Sequence, residues 1–371
     1  MDGYPNTVLK LDLMHHGISV DEEARAQMKK DRFGQFHFAD FVTTGGLVLR
    51  LNNGIYVNTP LESRKTPFLL THNETEGMQL MRDGIVLPHS VEVIPAPKFA
   101  LEVHLLDGRI PIRNLVNIHG DRARISPIQG CHFHCHFCST SRTNYRKMEL
   151  DVLERAFQEA LQDPYASFRH ALISGGTPKE EQADYDYIDQ VYAHFPRQYP
   201  DMEWDVMLSP RSKKPEVHNR QAYQEYLSFL RECGISTLSA NLELFNDAKS
   251  KSYMEGKHRI GRDNYLVFIE EAVKTFGKGM VRSSLIVGLE SKEDTLNGVE
   301  ALCSINCLPV LSPFVQDPRT NLAQQKKPAP DFLLEVLIEA NAIAQAHGSM
   351  LGPVCVPCRH NSLSLEDSTT V

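Results

Sequence analysis

Three cysteines and three histidines lie within the eight positions from Cys131 to Cys138. The cysteines are Cys131, Cys135 and Cys138, and the histidines are His132, His134 and His136. Thiolates are ligands of zinc and of iron–sulfur clusters. A cubane cluster is normally held by four thiolates, so three thiolates on one short loop would leave one iron open to a substrate or cosubstrate. The spacing therefore indicates a metal centre with an open position.

A zinc site is the alternative interpretation of the same loop. The three cysteines and one of the histidines would complete a tetrahedral ligand set. Zinc sites usually take a second, distant pair of ligands, whereas here all four would come from one tight loop. Ligand type and spacing favour the cluster, and the histidines then line the loop without binding metal.

The elements around this loop alternate between strands and helices. Buried strands are predicted at RARISPI, HALISGG, EWDVML, ISTLSAN, VRSSLIV and LPVLSPFV, with amphipathic helices between them. Six such strands imply a parallel sheet with right-handed crossovers, two βα units short of an eightfold barrel. The cysteine loop follows the first strand, at the carboxyl-terminal face where such barrels hold their active sites. We therefore predict an α/β protein with a partial (β/α)6 TIM-type barrel.

The segments on either side of the barrel differ from it. Residues 1–120 are predicted to form a mostly β N-terminal accessory domain, because LVLRLNNGIYVNTP is two β-type runs around Asn53-Gly54. A helical stretch is expected earlier, near DEEARAQMKKD. The barrel is predicted over 121–325, and residues 326–371 form a short C-terminal extension, a helix and a cysteine-containing tail.

The spacing Cys-x3-Cys-x2-Cys, with Phe137 just before the last cysteine, resembles the signature of the radical S-adenosylmethionine (SAM) superfamily. The resemblance covers about 122–315 and implies a partial (β/α)6 barrel, in agreement with the strand count. It also implies that Cys131, Cys135 and Cys138 hold a [4Fe-4S] cluster and are the catalytic residues. In that family the open iron binds SAM. An electron from the cluster then cleaves SAM to methionine and a 5'-deoxyadenosyl radical, which abstracts hydrogen from a substrate.

Motifs on later strands extend the resemblance. After the second strand, SGGTP puts Gly175, Gly176 and Thr177 where the family has a Gly-Gly-Glu-like loop that receives the SAM amino group; Thr177 replaces the usual acidic residue. At the fourth strand, Asn241 and Glu243 resemble the Asn-x-Glu stretch that biotin synthase-like and lipoyl synthase-like enzymes use against the SAM ribose and the substrate. The two alternate along an extended chain, so their side chains are expected on one face.

The fifth strand resembles the Gly-x-Ile-x-Gly stretch of the family, with Ser284 in place of the first glycine. The resemblance implies that Ile286 and Gly288 pack against the adenine. Arg282, or a strand-end serine such as Ser209, would meet the SAM carboxylate, since arginine binds carboxylates through two parallel hydrogen bonds.

A second cysteine pair, Cys355 and Cys358, stands as C-x2-C in the tail. Such a pair is a common half-site for zinc or an iron–sulfur cluster, and less often a redox pair. The candidates for the missing ligands are Cys303, Cys307, His347 and His360. A second cluster would favour sulfur insertion or another cluster-assisted modification. Without one, a rearrangement, elimination or dehydrogenation is favoured.

The composition limits the partners. The chain has 371 residues, 42% hydrophobic and 23% charged, and a formal net charge of −8, which makes nucleic acid an unlikely partner. No secretory signal or membrane span is visible, so we expect a cytoplasmic protein without a membrane partner. The resemblance implies a small-molecule or carrier-bound substrate and an electron donor such as flavodoxin or ferredoxin. The alternative from another class is a zinc-stabilised binding or regulatory protein.

Overall fold

The computed structural model of the chain describes residues 4–30, 46–62, 66–101, 104–106, 108, 110–214 and 217–366. The helices of its amino-terminal part are α1 (Pro5–His16), α2 (Glu22–Lys30) and α3 (Lys98–Leu101). The strands of this part are β1 (Ser19–Val20), β2 (Leu47–Leu51), β3 (Ile55–Thr59), β4 (Phe68–Asn73), β5 (Gly77–Arg82), β6 (Ile85–Val86), β7 (Val91–Val93), β8 (Leu105–Leu106) and β9 (Ile110–Pro111).

The amino-terminal strands enclose a small core of their own. Strands β2 and β3 form the hairpin predicted at Asn53-Gly54, with Leu51 opposite Ile55. Gly54 takes a φ of +83°, which a glycine adopts without strain. Alternate residues of β2 are buried, and they pack with side chains of β4 and β5 in a cluster separate from the core of the barrel.

The six predicted strands and one strand that precedes them form one seven-stranded sheet. The strands of this part are β10 (Val116–His119), β11 (Arg122–Ile125), β12 (Ile128–Gln129), β13 (Arg146–Lys147), β14 (His170–Ile173), β15 (Glu203–Met207), β16 (Ile235–Ser239), β17 (Val281–Val287) and β18 (Leu308–Pro313). The order in the sheet is β10-β11-β14-β15-β16-β17-β18. Strands β11 to β18 of this sheet are parallel, and β10 is antiparallel to β11. The partial (β/α)6 barrel is therefore confirmed.

Helices connect or follow the strands of the curled sheet. They are α4 (Leu150–Leu161), α5 (Gln182–Gln198), α6 (Arg220–Glu232), α7 (Asp247–Tyr253), α8 (Glu255–Ile260), α9 (Arg262–Phe276), α10 (Lys292–Ser304) and α11 (Pro330–Ala346). Helix α6 begins where the Asn219 side chain accepts a hydrogen bond from Ala222 N at 3.0 Å. Helix α10 begins in the same way at Ser291, whose Oγ accepts from Asp294 N at 3.0 Å. The segments that form α5, α7 and α8 were not named in the prediction of helices between the strands.

Two features at the amino-terminal end of the barrel differ from expectation. Helix α1 was not predicted because Lys10 and Asp12 are buried beside its leucines, which removes the polar face that a surface helix usually has. The sheet begins at Val116, since β10 pairs with β11. The division of the chain after residues 120 and 325 remains a prediction. Within the described residues, no helix is both long enough and apolar enough to cross a membrane.

Candidate active site

The three cysteines lie on the loop after β12, beyond the carboxyl end of β11. Cys135 is buried, and Cys131 and Cys138 are partly exposed; all are free thiols. Backbone hydrogen bonds hold the loop from both sides: His132 N donates to Thr177 O at 3.0 Å, and His136 N donates to Tyr253 O at 2.7 Å. The loop is therefore positioned by main-chain contacts with the segment after β14 and with the end of α7.

The sulfur atoms lie among polar neighbours, although burial favours the protonated form of the Cys135 thiol. Thr177 N donates to Cys131 Sγ at 3.2 Å. Burial raises the pKa of the Cys135 thiol to about 12, and the nearby Lys257 charge opposes that rise. A hydrogen bond or a positive charge stabilises the deprotonated sulfur, which is the form that binds metal. Phe137, next to Cys138, is half-buried against the core of the barrel.

The glycine pair lets two loops run directly against each other. A Cβ on Gly176 would lie 1.5 Å from Gly130 O, so no side chain fits there. Gly175 has a φ of +135°, and its Cβ would lie 2.9 Å from Ile128 O. The loop after β14 thereby brings the backbone of Thr177 to the cysteine loop, in line with the close approach expected of a glycine pair.

Asn241 and Glu243 are joined by a lysine that the sequence did not single out. Lys257 Nζ donates to Asn241 O at 2.8 Å and to Glu243 Oε1 at 3.1 Å. Asn241 Oδ1 accepts from Ser239 Oγ at 2.8 Å and from Ser284 N at 3.2 Å. Glu243 has a φ of 67°, so the chain is not extended there as expected. Lys257 lies in a six-residue helix, α8, whose sequence carries no recognisable signal for this contact.

The two candidates for the SAM carboxylate lie at different ends of the barrel. A cleft beside the cysteine loop is lined by Phe133, Gly175, Gly176, Thr177 and Ser209 among others. Ser209 Oγ accepts a hydrogen bond from the Tyr265 hydroxyl at 3.1 Å.

Arg282 is the second residue of β17 and binds the Asp205 carboxylate. Because β17 continues for five residues beyond it, this guanidinium lies near the amino end of the strands. Ile286 is on the same face nearer the carboxyl end, and Gly288, with a φ of +105°, abuts Pro328.

The cysteine loop fits a polynuclear cluster better than one ion. Among the residues that the structure describes, one group of three or more Cys, His, Asp or Glu side chains has its ligand atoms within 4.8 Å of one another, and it contains none of the triplet. The three thiols of the loop thus do not converge with a histidine on a single zinc position. A cubane cluster does not need such convergence, because each thiolate binds a different iron.

That one convergent group lies at the amino-terminal end of the barrel and contains Cys355 and Cys358. Their partners are Asp121, which directly precedes β11, and His170, which begins β14. Burial alone would lower the pKa of His170, but Asp121 and Cys358 raise it to about 9. The neighbouring Cys355 sulfur and then His170 lower the pKa of Cys358, against the effect of burial.

The four ligand candidates taken from the sequence lie outside this group. His347 bonds to Glu300, His360 Nδ1 faces Pro357 O, and Cys303 and Cys307 are buried. Arg122 pairs with His170 in the parallel sheet. Because residues at the starts of adjacent parallel strands lie side by side, a predicted pairing of the first two strands could have placed Asp121 beside His170.

Comparisons with known proteins identify a family for the central part of the chain. Residues 125–297 match the family model described as the Radical SAM superfamily. No curated protein sequence matches the chain. The FeFe-hydrogenase maturase HydG from Carboxydothermus hydrogenoformans is similar in structure, with a TM-score of 0.47 and 14% identity; the match covers 66% of this chain and 57% of the maturase. A radical SAM methyltransferase from Sphaerobacter thermophilus has a TM-score of 0.47 and 16% identity, over 79% of this chain and 77% of that one.

The family match carries the assignment, since the structural likenesses are distant. It covers β11 at its last residue, the cysteine loop, the glycine pair and the strands through β17. Membership implies an enzyme that binds a [4Fe-4S] cluster and SAM and cleaves SAM at that cluster. Residues 125–297 of this chain form a domain of the radical SAM superfamily.

Proposed function

We propose that this protein cleaves SAM at a [4Fe-4S] cluster held by Cys131, Cys135 and Cys138, and that the resulting 5'-deoxyadenosyl radical abstracts hydrogen from a substrate. The observation that carries the proposal is the hydrogen bond from Thr177 N to Cys131 Sγ, at 3.2 Å. It joins the cysteine loop to the glycine-pair loop at the carboxyl ends of neighbouring parallel strands, where α/β barrels bind their ligands. When bound, the cluster supplies the electron for the reductive cleavage of SAM.

The backbone contacts of Thr177 limit which groups are free to bind the SAM amino group. Thr177 N donates to Cys131 Sγ and Thr177 O accepts from His132 N, so both main-chain groups of Thr177 are already engaged. An ammonium group needs hydrogen-bond acceptors. We therefore assign the SAM amino group to the carbonyl oxygens of Gly175 and Gly176. Ser209, which lines the same cleft, is the better of the two carboxylate candidates.

Asn241 is suited to hold the ribose. Its Oδ1 already accepts two hydrogen bonds, whereas its Nδ2 lies 3.6 Å from Met207 Sδ, a weak acceptor. The amide N–H is therefore available to a ribose hydroxyl. The ion pair of Lys257 with Glu243 holds this loop, and Lys257 also donates to Asn241 O. Phe137, Ile286 and Gly288 remain proposed cofactor contacts, the last two at the adenine.

The position of the second cysteine pair bears on the reaction class. Strands of four to seven residues separate the two ends of the barrel, a distance of roughly 13–23 Å at about 3.3 Å per residue. A cluster at Cys355 and Cys358 would therefore be too far from the radical to donate sulfur to the same substrate. We propose a rearrangement, elimination or dehydrogenation of a small-molecule or carrier-bound substrate, with flavodoxin or ferredoxin as the electron donor.

The test is anaerobic formation of 5'-deoxyadenosine. The reconstituted protein with dithionite and SAM should form it, and the variant with Cys131, Cys135 and Cys138 all changed to Ala should not. Cys233→Ala is the matched control, because this thiol is buried at the end of α6. Equal product from the triple variant would overturn the proposal. A parent that binds zinc but no iron at this loop would support the zinc-stabilised binding protein.

A further inference from the structure

At the amino-terminal end of the barrel, the tail brings two sulfur atoms to a nitrogen and an oxygen. Cys355 Sγ lies 2.9 Å from Asp121 Oδ1, and Cys358 Sγ lies 3.7 Å from the same oxygen. His170 Nε2 lies 3.4 Å from Cys358 Sγ and 3.2 Å from Asp121 Oδ1. The four atoms thus surround a common point, and all of them lie within 4.8 Å of one another.

These separations match the edges of a small tetrahedron. Zinc bonds of about 2.3 Å to sulfur and about 2.0–2.1 Å to nitrogen or oxygen place tetrahedral ligand atoms roughly 3.3–3.8 Å apart. Of the six separations among four atoms, three, at 3.2, 3.4 and 3.7 Å, agree with that within about 0.1 Å, one is shorter, and the remaining two are at most 4.8 Å. The shorter contact, between Cys355 and Asp121, is a thiol–carboxylate hydrogen bond whose proton a metal ion would displace. We propose that Asp121, His170, Cys355 and Cys358 bind one zinc ion.

A catalytic relay does not explain the same atoms. In a nucleophile–histidine–acid relay, the nucleophile and the acid contact different ring nitrogens. Here Cys358 Sγ and Asp121 Oδ1 both approach Nε2 of His170. Nε2 cannot donate a hydrogen bond to the carboxylate and accept the thiol proton at the same time. If Nε2 instead directs its lone pair at a metal ion, Cys358 and Asp121 can bind the same ion.

A second iron–sulfur cluster does not suit the group either. Clusters are normally held by four cysteine thiolates, each on its own iron, which spreads the ligands around a body of several atoms. This group has two cysteines, and its ligand atoms lie within 4.8 Å of one another. Two sulfurs, one imidazole and one carboxylate around one point are a set that zinc accepts.

The surrounding contacts orient the ligands. Arg169 Nε donates to Asp121 Oδ2 at 2.8 Å, and its Nη2 bonds to the same oxygen. Asp121 therefore keeps Oδ1 for the metal. Cys358 N donates to Cys355 Sγ at 3.3 Å, which stabilises the thiolate. Two thiolates and one carboxylate leave a single negative charge on a bound Zn²⁺, and Arg169 offsets it. Such outer contacts tune metal affinity.

A zinc ion here would cross-link the two sides of the open sheet. Asp121 and His170 come from β11 and β14, at the start of the sheet. The tail that carries the cysteines pairs with β18 at the other side, through Gly352 N to Pro309 O at 2.8 Å and Leu363 N to Leu311 O at 2.7 Å. With four protein ligands and no open position, the site has the composition of a structural zinc site.

The experiment is a metal count on the full chain. The parent and the triple variant of Cys131, Cys135 and Cys138 should both hold about one zinc per chain, which is the stoichiometry of one four-ligand site. This separates the zinc site from the radical SAM proposal, since the triple variant lacks the cluster. Asp121→Ala and His170→Ala should each lose the zinc. Cobalt(II) in its place should give tetrahedral ligand-field bands and a thiolate charge-transfer band.

The controls are the ligand candidates that lie elsewhere. His347→Ala and Cys303→Ala should keep the zinc. Should the ligand variants fail to fold, Arg169→Ala still tests the site, because this side chain is 80% exposed. It should weaken zinc about tenfold in competition with a chelator, the size of a typical outer-contact effect. Zinc retained in both Asp121→Ala and His170→Ala, unchanged affinity in Arg169→Ala, or iron and sulfide at this site would each overturn the proposal.

Discussion

The two ends of the barrel use cysteine in opposite ways. At the carboxyl-terminal end, three thiols share one loop beside a cleft and do not converge on one point. At the amino-terminal end, two thiols from the tail converge with a carboxylate and an imidazole contributed by the starts of two strands. As we propose them, the first arrangement leaves a coordination position for a ligand, and the second fills every position with protein. Ligand geometry thus distinguishes a site built for exchange from a site built to hold the chain together.

The largest expected effect is that two cysteine variants, one at each end of the barrel, lose different metals. Cys135→Ala should abolish 5'-deoxyadenosine formation and leave zinc in place, because its thiol lies on the cluster loop alone. Cys355→Ala should lose zinc and lower the melting temperature, yet still cleave SAM. Iron, zinc and 5'-deoxyadenosine measured on both variants give the comparison. If either variant lost both metals while folded, the two ends would not be independent.

Gly176→Ala should damage the carboxyl-terminal end severely. Its Cβ would lie 1.5 Å from Gly130 O, so the cysteine loop must move. Iron content and SAM binding should fall together, with zinc unchanged. Gly54→Ala is the control, since it has a positive φ but open space around its Cβ. Normal iron content in Gly176→Ala would mean that the two loops can separate without harm.

Lys257→Met should weaken SAM binding at the carboxyl-terminal end of the barrel without removing a thiol. Lys257 and Glu243 are 13% and 15% exposed, so the variant leaves a mostly buried carboxylate without its cation. Breaking such a pair costs about 3–5 kcal/mol when one charge stays buried. SAM affinity should fall while iron is retained, as calorimetry and iron counts would report. The double variant with Glu243→Gln should recover stability; no recovery would mean that the pair is not the cause.

The last effect concerns a buried lysine that bonds to the tail, and it develops only as the pH rises above about 7. Burial, and then the charge of Arg359, lower the pKa of Lys10 from 10.5 to about 7. Between those values the unfolded chain binds more protons than the folded one, so the free energy of unfolding rises with pH by up to about 1.4 kcal/mol per unit. Lys10→Met should lack this rise. Denaturant unfolding of both proteins from pH 7 to 10 checks it, and parallel curves would contradict it.

The predicted barrel strands were recognisable because parallel strands covered on both faces read as short apolar runs. The cysteine loop, the glycine pair and the order of the motifs could likewise be taken from the sequence. Lys257 could not, since its contact depends on a left-handed turn at Glu243.

Asp121 and His170 were missed for a different reason. They lie 234 residues from Cys355 and 188 residues from Cys358, so no local spacing joins them. Strand pairing brings these residues together, and a short motif records only neighbours along the chain. Helix α1 was hidden by its buried Lys10 and Asp12, whose partners lie far along the chain: the tail for Lys10 and Arg82 for Asp12.

The contact of Lys10 with the tail has a consequence for synthesis. Lys10 Nζ bonds to Arg359 O, 349 residues later in the chain. At about 5–20 residues per second, the ribosome needs roughly 17–70 s to make the intervening segment. Leu9 and Leu13 of α1 pack into the amino-terminal core, whereas Lys10 has its partner in the tail. The side of α1 that carries Lys10 is therefore completed only when the tail has been made, and a nascent chain stalled before the tail should be the species that chaperones bind longest.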